Sequence, residues 1–291
     1  MVVITQKSYG MKKAFQPALL SVFIFFLHSQ DLNAQTHKLT KKWQTDSILK
    51  TPESVLYDGL NHVLYFSNIG GASDAKTGQG SIGKLGLDGK VIELEWVKGL
   101  NAPKGLGRYN DILYAACMDE VTVIDIPSGK ITKQIPVSGA LLLNDITVDA
   151  RGIVYVSDTR TGKVHRIEKD GMVSTYVEGI ERANGVLAMG DDLCVLGSGY
   201  FYKVSKDKKL NKVADGMDES TDGIENVGGN DYLVSCWNGI IYYVGADGSK
   251  QVLLDTRGQK SNTADIGYDS KNKIVYVPTF FRNSVVAYEL K

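Results

Sequence analysis

The chain has 291 residues, with 33 basic and 33 acidic side chains and a formal net charge of zero. That balance argues against a dedicated nucleic-acid binder, which carries a basic excess. Apolar residues at 43% and charged residues at 23% exclude a disordered chain. With 31 glycines, 6 prolines and 15 tyrosines against 8 phenylalanines, the composition points to many short strands joined by tight turns.

At the N-terminus, Lys12 and Lys13 precede an apolar run over 14–27, and Leu32-Asn33-Ala34 follows with a small residue at the expected cleavage position. This is the order of a secretory signal. The apolar run is short for a membrane span, which makes an N-terminal anchor the weaker alternative. Residues 1–34 are assigned to a signal peptide, with Met11 an alternative start, and 35–291 to a mature chain that is periplasmic or extracellular and free of the membrane after cleavage. Cleavage removes three lysines and one aspartate, leaving 30 basic and 32 acidic residues, a net charge of −2.

The three cysteines, Cys117, Cys194 and Cys236, are odd in number and have no CxxC spacing. Each lies in or at the end of an apolar run, so buried free thiols are expected.

The mature chain repeats one pattern six times. A short motif opens an apolar run, a polar turn follows, and a second run is rich in Tyr and Val: VLYFSN (63–68), ILYAAC (112–117), IVYVSD (153–158), DLCVLG (192–197), DYLVSC (231–236) and IVYVPT (274–279). A third run follows most of them and ends in a turn with Asp-Gly or Ser-Gly, as antiparallel hairpins do. The openings align on Glu53, Lys104, Asn144, Asn184, Asp222 and Ala264, at intervals of 51, 40, 40, 38 and 42 residues. Three or four strands at that period make a propeller blade, and no long helical period is present. The fold class is all-β: a six-bladed β-propeller over 35–291. The sixth blade has three strands of its own, and Lys38 to Trp43 is expected to supply its fourth, leaving no unpaired edge.

In such a ring the opening column surrounds one mouth of the central channel. That mouth is expected to collect Glu53, Asn144, Asp145, Asn184, Asp222, Asp265 and Asp158, with Trp237, Phe280 and Phe281 beside them and Lys104 as the one cation in the ring. Carboxylates gathered in one place are costly unless a positive charge sits between them. Oxygen ligands without His or Cys suit a hard divalent cation better than a structural zinc. Taken singly, such Asp, Asn and Glu residues more often satisfy turns at strand starts; four in one column weigh against that.

At this point the chain resembles the regucalcin/gluconolactonase family of six-bladed propellers, through Glu in PES of blade one, Asn-Asp in LND of blade three, Asn-Gly in ANG of blade four and Asp-Gly in TDG of blade five. The resemblance spans the mature chain. It implies one divalent metal held by Glu53, Asn184 and Asp222. It also implies Asn144 on substrate or water, and Asp222 as general base in lactone hydrolysis. Ca²⁺ is the expected ion, with Mg²⁺, Mn²⁺ and Zn²⁺ as alternatives. One departure matters: sugar-lactonase members carry Arg two residues before the blade-three Asn, and this chain has Leu142. A less polar substrate than an aldonolactone is expected. Substrate contacts are assigned to Lys104, Asp145, Trp237 and Phe280, with Lys104 holding a carbonyl or carboxylate or, alternatively, pairing at the surface with an acid.

Other chemistry is set aside. GQGSIG (78–83) matches a nucleotide-loop spacing, but a strand and turn follow where a helix is needed; it reads as a loop of blade one. The histidines at 28, 37, 62 and 165 are not placed for a serine triad at the mouth. Tyr65, Tyr114, Tyr155 and Tyr276 share one column and read as blade packing. The functions that fit are a metal-dependent hydrolase of a lactone or related ester, or a non-catalytic propeller that binds a small ligand beside a structural metal.

Overall fold

The computed structural model describes residues 1–8, 10–11 and 36–291. The proposed signal's apolar run and its cleavage position at Ala34 lie outside the described residues. The unit over Thr36–Lys291 holds six four-stranded antiparallel sheets. Their inner strands are Pro52–Asp58, Pro103–Tyr109, Leu143–Val148, Ala183–Met189, Thr221–Gly228 and Gly267–Asp269. The second strands match the Tyr- and Val-rich runs of the sequence repeat, from Val63–Asn68 in blade one to Ile274–Pro278 in blade six.

The ring closes as expected. Leu39–Gln44 pairs antiparallel with Val285–Leu290, from Leu39 opposite Leu290 to Gln44 opposite Val286. The N-terminal strand is therefore the outer edge of the last blade.

Strand alternation sends one side chain of each pair toward each neighbouring blade. Every seam between blades is therefore an apolar cluster with contributions from both sides. Tyr65, Ile82 and Leu100 of blade one meet Leu106, Leu113 and Cys117 of blade two. Phe201, Cys194 and Leu196 of blade four meet Tyr232, Val234 and Cys236 of blade five. All three cysteines are buried and free, and burial pushes the Cys117 thiol up to about 12 and Cys194 to about 11. Tyr65, Tyr155 and Tyr276 are buried in these seams.

The GQGSIG segment is packing rather than phosphate binding. Gly80–Gly86 is the third strand of blade one, so only Gly78 and Gln79 lie in the loop that the sequence placed there. A Cβ at Gly83 would come within 2.2 Å of the Phe66 ring, and one at Gly80 within 2.2 Å of Pro103. Glycine is there because neighbours press against the backbone.

Candidate metal and ligand site at the channel mouth

Each of the first five inner strands opens with the same irregularity. Register slips between Pro52 and Val55, Pro103 and Leu106, Leu143 and Ile146, Ala183 and Val186, and Thr221 and Ile224. Two residues thus face one on the second strand, a bulge that re-aims side chains. Second-strand serines fasten three of these bulges: Ser67 Oγ accepts from Ser54 N at 2.9 Å, Ser157 Oγ from Asp145 N at 3.0 Å, and Ser235 Oγ from Gly223 N at 2.8 Å.

The two bulge residues face different ways. The first of each pair, Glu53, Lys104, Asn144, Asn184 and Asp222, lines a cavity of about 400 Å³ at the mouth. The second is Ser54, Gly105, Asp145, Gly185 or Gly223. Where it is glycine, the next inner strand crowds it. A Cβ at Gly105 would lie 2.6 Å from Asp145 Cα, one at Gly185 2.2 Å from Asp222 O, and one at Gly223 2.4 Å from Asp265 Oδ1. The glycines of ANG and TDG let the inner strands converge on the axis.

This geometry corrects three sequence assignments. Asp145 does not join Asn144 at the mouth; with Asp265 it lines a second cavity of about 380 Å³ farther along the inner strands. Its Oδ2 accepts from Val186 N at 2.7 Å and its Oδ1 from Ile146 N at 2.6 Å. Asp265 Oδ2 accepts from Ser54 Oγ at 2.5 Å. Asp158, fully buried, accepts from the backbone N–H groups of Leu141 and Leu142 at 3.0 Å and holds the loop before the strand.

At the mouth itself, Asn184 Nδ2 donates to Asp222 Oδ1 at 2.9 Å. Asn184 Oδ1 and Glu53 Oε2 are buried with no hydrogen-bond partner among the described residues. Leaving such atoms unpaired is expensive. Burial first, and then the neighbouring Asp222 and Asp265, hold the Glu53 carboxyl well above its usual range. Burial and Asp265 do the same to Asp222, against the Asn184 hydrogen bond. Two buried acids and an idle amide oxygen, all hard donors, fit a divalent cation. Among the described residues no three His, Cys, Asp or Glu side chains gather as metal ligands by themselves.

Asn144 and Lys104 complete the polar side. Thr159 Oγ1 donates to Ala183 O at 2.9 Å, so it must accept from Asn144 Nδ2 at 3.1 Å. That fixes the amide plane and leaves its oxygen for a ligand. Lys104 is not the surface residue of the alternative reading. It is 4% exposed, and its amine donates to Ser73 O at 2.9 Å and Ala102 O at 3.2 Å. Burial lowers its pKa while Glu53 raises it. Ile69, Leu142, Trp237, Phe280 and Phe281 form the apolar wall. Sequence reasoning missed the orienting role of Thr159 and the presence of Arg182 and Glu219 on the rim. The repeat register did place Thr159 directly after a second strand.

No family model matches the sequence, and no curated relative matches it. Solved structures do. A streptogramin B lyase is 12% identical with a TM-score of 0.63, covering 88% of this chain and 98% of its own. A protein assigned as a gluconolactonase is 14% identical with a TM-score of 0.66, covering 88% and 93%. A structure of a nidogen/laminin complex is 16% identical with a TM-score of 0.63, covering 75% and 84%. The chain shares their fold. At such identities the likeness is one of fold, and the chemistry of the mouth rests on this chain's own residues.

Proposed function

We propose that the propeller is a divalent-metal-dependent hydrolase acting on a lactone or related ester at the Glu53–Asn184–Asp222 mouth. The observation that carries this reading is the pair of buried, unpartnered oxygens, Glu53 Oε2 and Asn184 Oδ1, beside an acid with a raised pKa. Both oxygens belong to residues that line one cavity with Asp222, an arrangement that suits a bound cation.

Glu53, Asn184 and Asp222 would hold the ion, Ca²⁺ by preference. When bound it supplies Lewis-acid polarisation of the ester carbonyl and a positive charge that makes nearby water more acidic. Asp222 is held on one oxygen by Asn184 and takes the proton of the attacking water on the other. Asn144, its amide fixed by Thr159, orients that water or the substrate carbonyl. Lys104 places an ammonium beside the oxygen on which charge develops. The N-terminal segment adds that this activity belongs outside the cytoplasm, which sequencing of the mature N-terminus would check.

The test is a panel of lactones and esters with the purified mature protein, with and without chelator, followed by product mass. Hydrolysis adds one water to the substrate, lapses with chelator and returns with Ca²⁺. Ring opening without gain of water would replace hydrolysis by elimination. Metal and ligand binding without turnover would assign the mouth to the second reading, a binding propeller. That reading draws on the occurrence of the same fold in a nidogen/laminin complex.

A further inference from the structure

The mouth has one polar side and one aromatic side, and the aromatic side is built in an unusual way. Residues Phe280–Arg282 form a single 3-10 turn between the second and third strands of blade six. Phe280 has φ +48°, a conformation bulky side chains rarely adopt. Met118 and Ser198, which follow the second strands of blades two and four, also have positive φ, of 36° and 45°. Blade six places two adjacent aromatic residues there, on a 3-10 turn. Phe280 is buried against Ile69, Ala102 and Met118, whereas Phe281 is 67% exposed.

The exposed ring is nevertheless held in place. Phe281 stands edge-on to Phe280 at 4.7 Å and to Trp237 at 5.8 Å between centroids, and Trp237 stands edge-on to Phe280 at 5.3 Å. On one side of the turn, Arg282 Nη2 donates to Gln259 O at 2.5 Å. On the other, Asn283 Oδ1 accepts from Thr51 N at 3.0 Å and Asn283 O from Leu49 N at 3.1 Å. An aromatic ring fixed in water on a pinned turn does nothing for the core. It is pre-organised contact area.

We infer that Trp237, Phe280 and Phe281 form a rigid aromatic clamp, so that the ligands of this mouth are lactones or esters carrying a planar, apolar substituent beside the carbonyl. The inference rests on the hydrolase reading for the carbonyl and narrows the substrate class. A cavity of about 400 Å³ accommodates a small ring and one such substituent. A polyhydroxylated ring would set its hydroxyls against Leu142, Ile69 and the phenyl rings, where they find no partner.

The probes are two inert lactams of one ring size, one bearing a benzyl group and one bearing hydroxyls only. Calorimetry on the Ca²⁺-loaded mature protein reads their binding whether or not any ester is hydrolysed. The benzyl lactam is expected to bind at least about tenfold more tightly than the hydroxylated one. Phe281→Ala should weaken the benzyl lactam by about three- to tenfold, with the hydroxylated one unchanged within about twofold. Phe281→Tyr should restore most of the loss, and the exposure of the side chain predicts unchanged folding in both variants. Equal or tighter binding of the hydroxylated lactam, no binding of the benzyl lactam, or no effect of Phe281→Ala overturns the clamp. Failure of hydrolysis on the ester panel, with the lactam preference intact, would instead overturn the hydrolase reading alone.

Discussion

Asn184 spans the gap between blades four and five to donate its amide nitrogen to Asp222 Oδ1 at 2.9 Å, and in doing so turns its own oxygen into a buried position with no partner. One hydrogen bond thus positions a base and exposes a ligand. Without a cation, the cost falls on stability: buried acids crowd together and must keep protons they would lose in water.

The first prediction follows from that cost. Asp222→Ala should reduce metal affinity by at least about a hundredfold, beyond the loss seen for outer-shell partners, and abolish hydrolysis. Glu53→Gln should raise the melting temperature in chelator at pH 8, because it removes a carboxylate whose pKa burial has raised. The same variant should lose the stabilisation that Ca²⁺ gives the parent. Thermal melts with and without Ca²⁺ check both. If Asp222→Ala binds Ca²⁺ as the parent does, the ion is not held here.

Asn144 is assigned to water or substrate, so its removal should separate the two functions of the mouth. Asn144→Ala should lower turnover by about tenfold to a hundredfold while keeping most of the metal affinity. Thr159→Val, which frees the Asn144 amide to rotate, should give a smaller loss of the same kind. Calorimetry beside single-turnover kinetics distinguishes this from a ligand role, in which both quantities would fall together.

How much of this was legible beforehand depends on what each residue type can report. The blades and the first bulge residue at each opening repeat in the sequence, so spacing alone places Glu53, Asn144, Asn184 and Asp222 around one mouth, and the three-stranded sixth blade calls for the closing strand. Spacing does not show a bulge. Asn144 and Asp145 are neighbours in sequence, and only the slipped register between Leu143 and Ile146 sends them to different cavities. The glycines at 105, 185 and 223 held the clue, since each follows an opening residue where the inner strands crowd the axis. Hydrogen-bond direction at Thr159 and the pinned turn under Phe281 depend on contacts between distant segments, which periodicity cannot carry.

Asp265 gives the third prediction. Burial raises its pKa from 3.8 to about 7, against the hydrogen bond from Ser54. A raised folded-state pKa means the native state holds a proton that the unfolded chain has released between roughly pH 4 and 7. Stability is then greatest below that window and falls as pH rises through about 7. In chelator, the parent should melt about 5 °C lower at pH 8 than at pH 5, and Asp265→Asn should reduce that difference, the other buried acids of the channel supplying the rest. A parent profile that rises with pH across the window would contradict the burial of this acid.

The thiols test the blade assignment. Cys117 lies in the seam between blades one and two, and Cys194 and Cys236 in that between blades four and five. Titration of the denatured, unreduced mature protein should find three free groups. Finding one would mean that two have joined, against the three unbridged, buried thiols of this fold.

The closing strand supplies the last prediction. Leu39–Gln44 covers the outer edge of Val285–Leu290, and the cover reaches into the first blade as well. Trp43 Nε1 donates to Leu87 O at 3.0 Å, and its ring lies over Gly89, where a Cβ would come within 2.6 Å. Trp43 also stands 5.9 Å from Tyr276 and packs on the cluster joining blades six and one. The segment therefore does two jobs: it pairs an edge and it seals the seam at which the ring begins and ends. Removing residues 36–45 would expose backbone donors and acceptors along Val285–Leu290 and open that seam to water. The expected result is a melting temperature lower by about 10 °C or more, with a broader transition and self-association through the bare edge. Trp43→Ala keeps the pairing and removes only the seal, so it should lower the melting temperature by less and leave the chain monodisperse relative to the parent. Calorimetry and light scattering on the two variants separate the jobs. An unchanged melting temperature after the deletion would show that the ring holds without its closing strand.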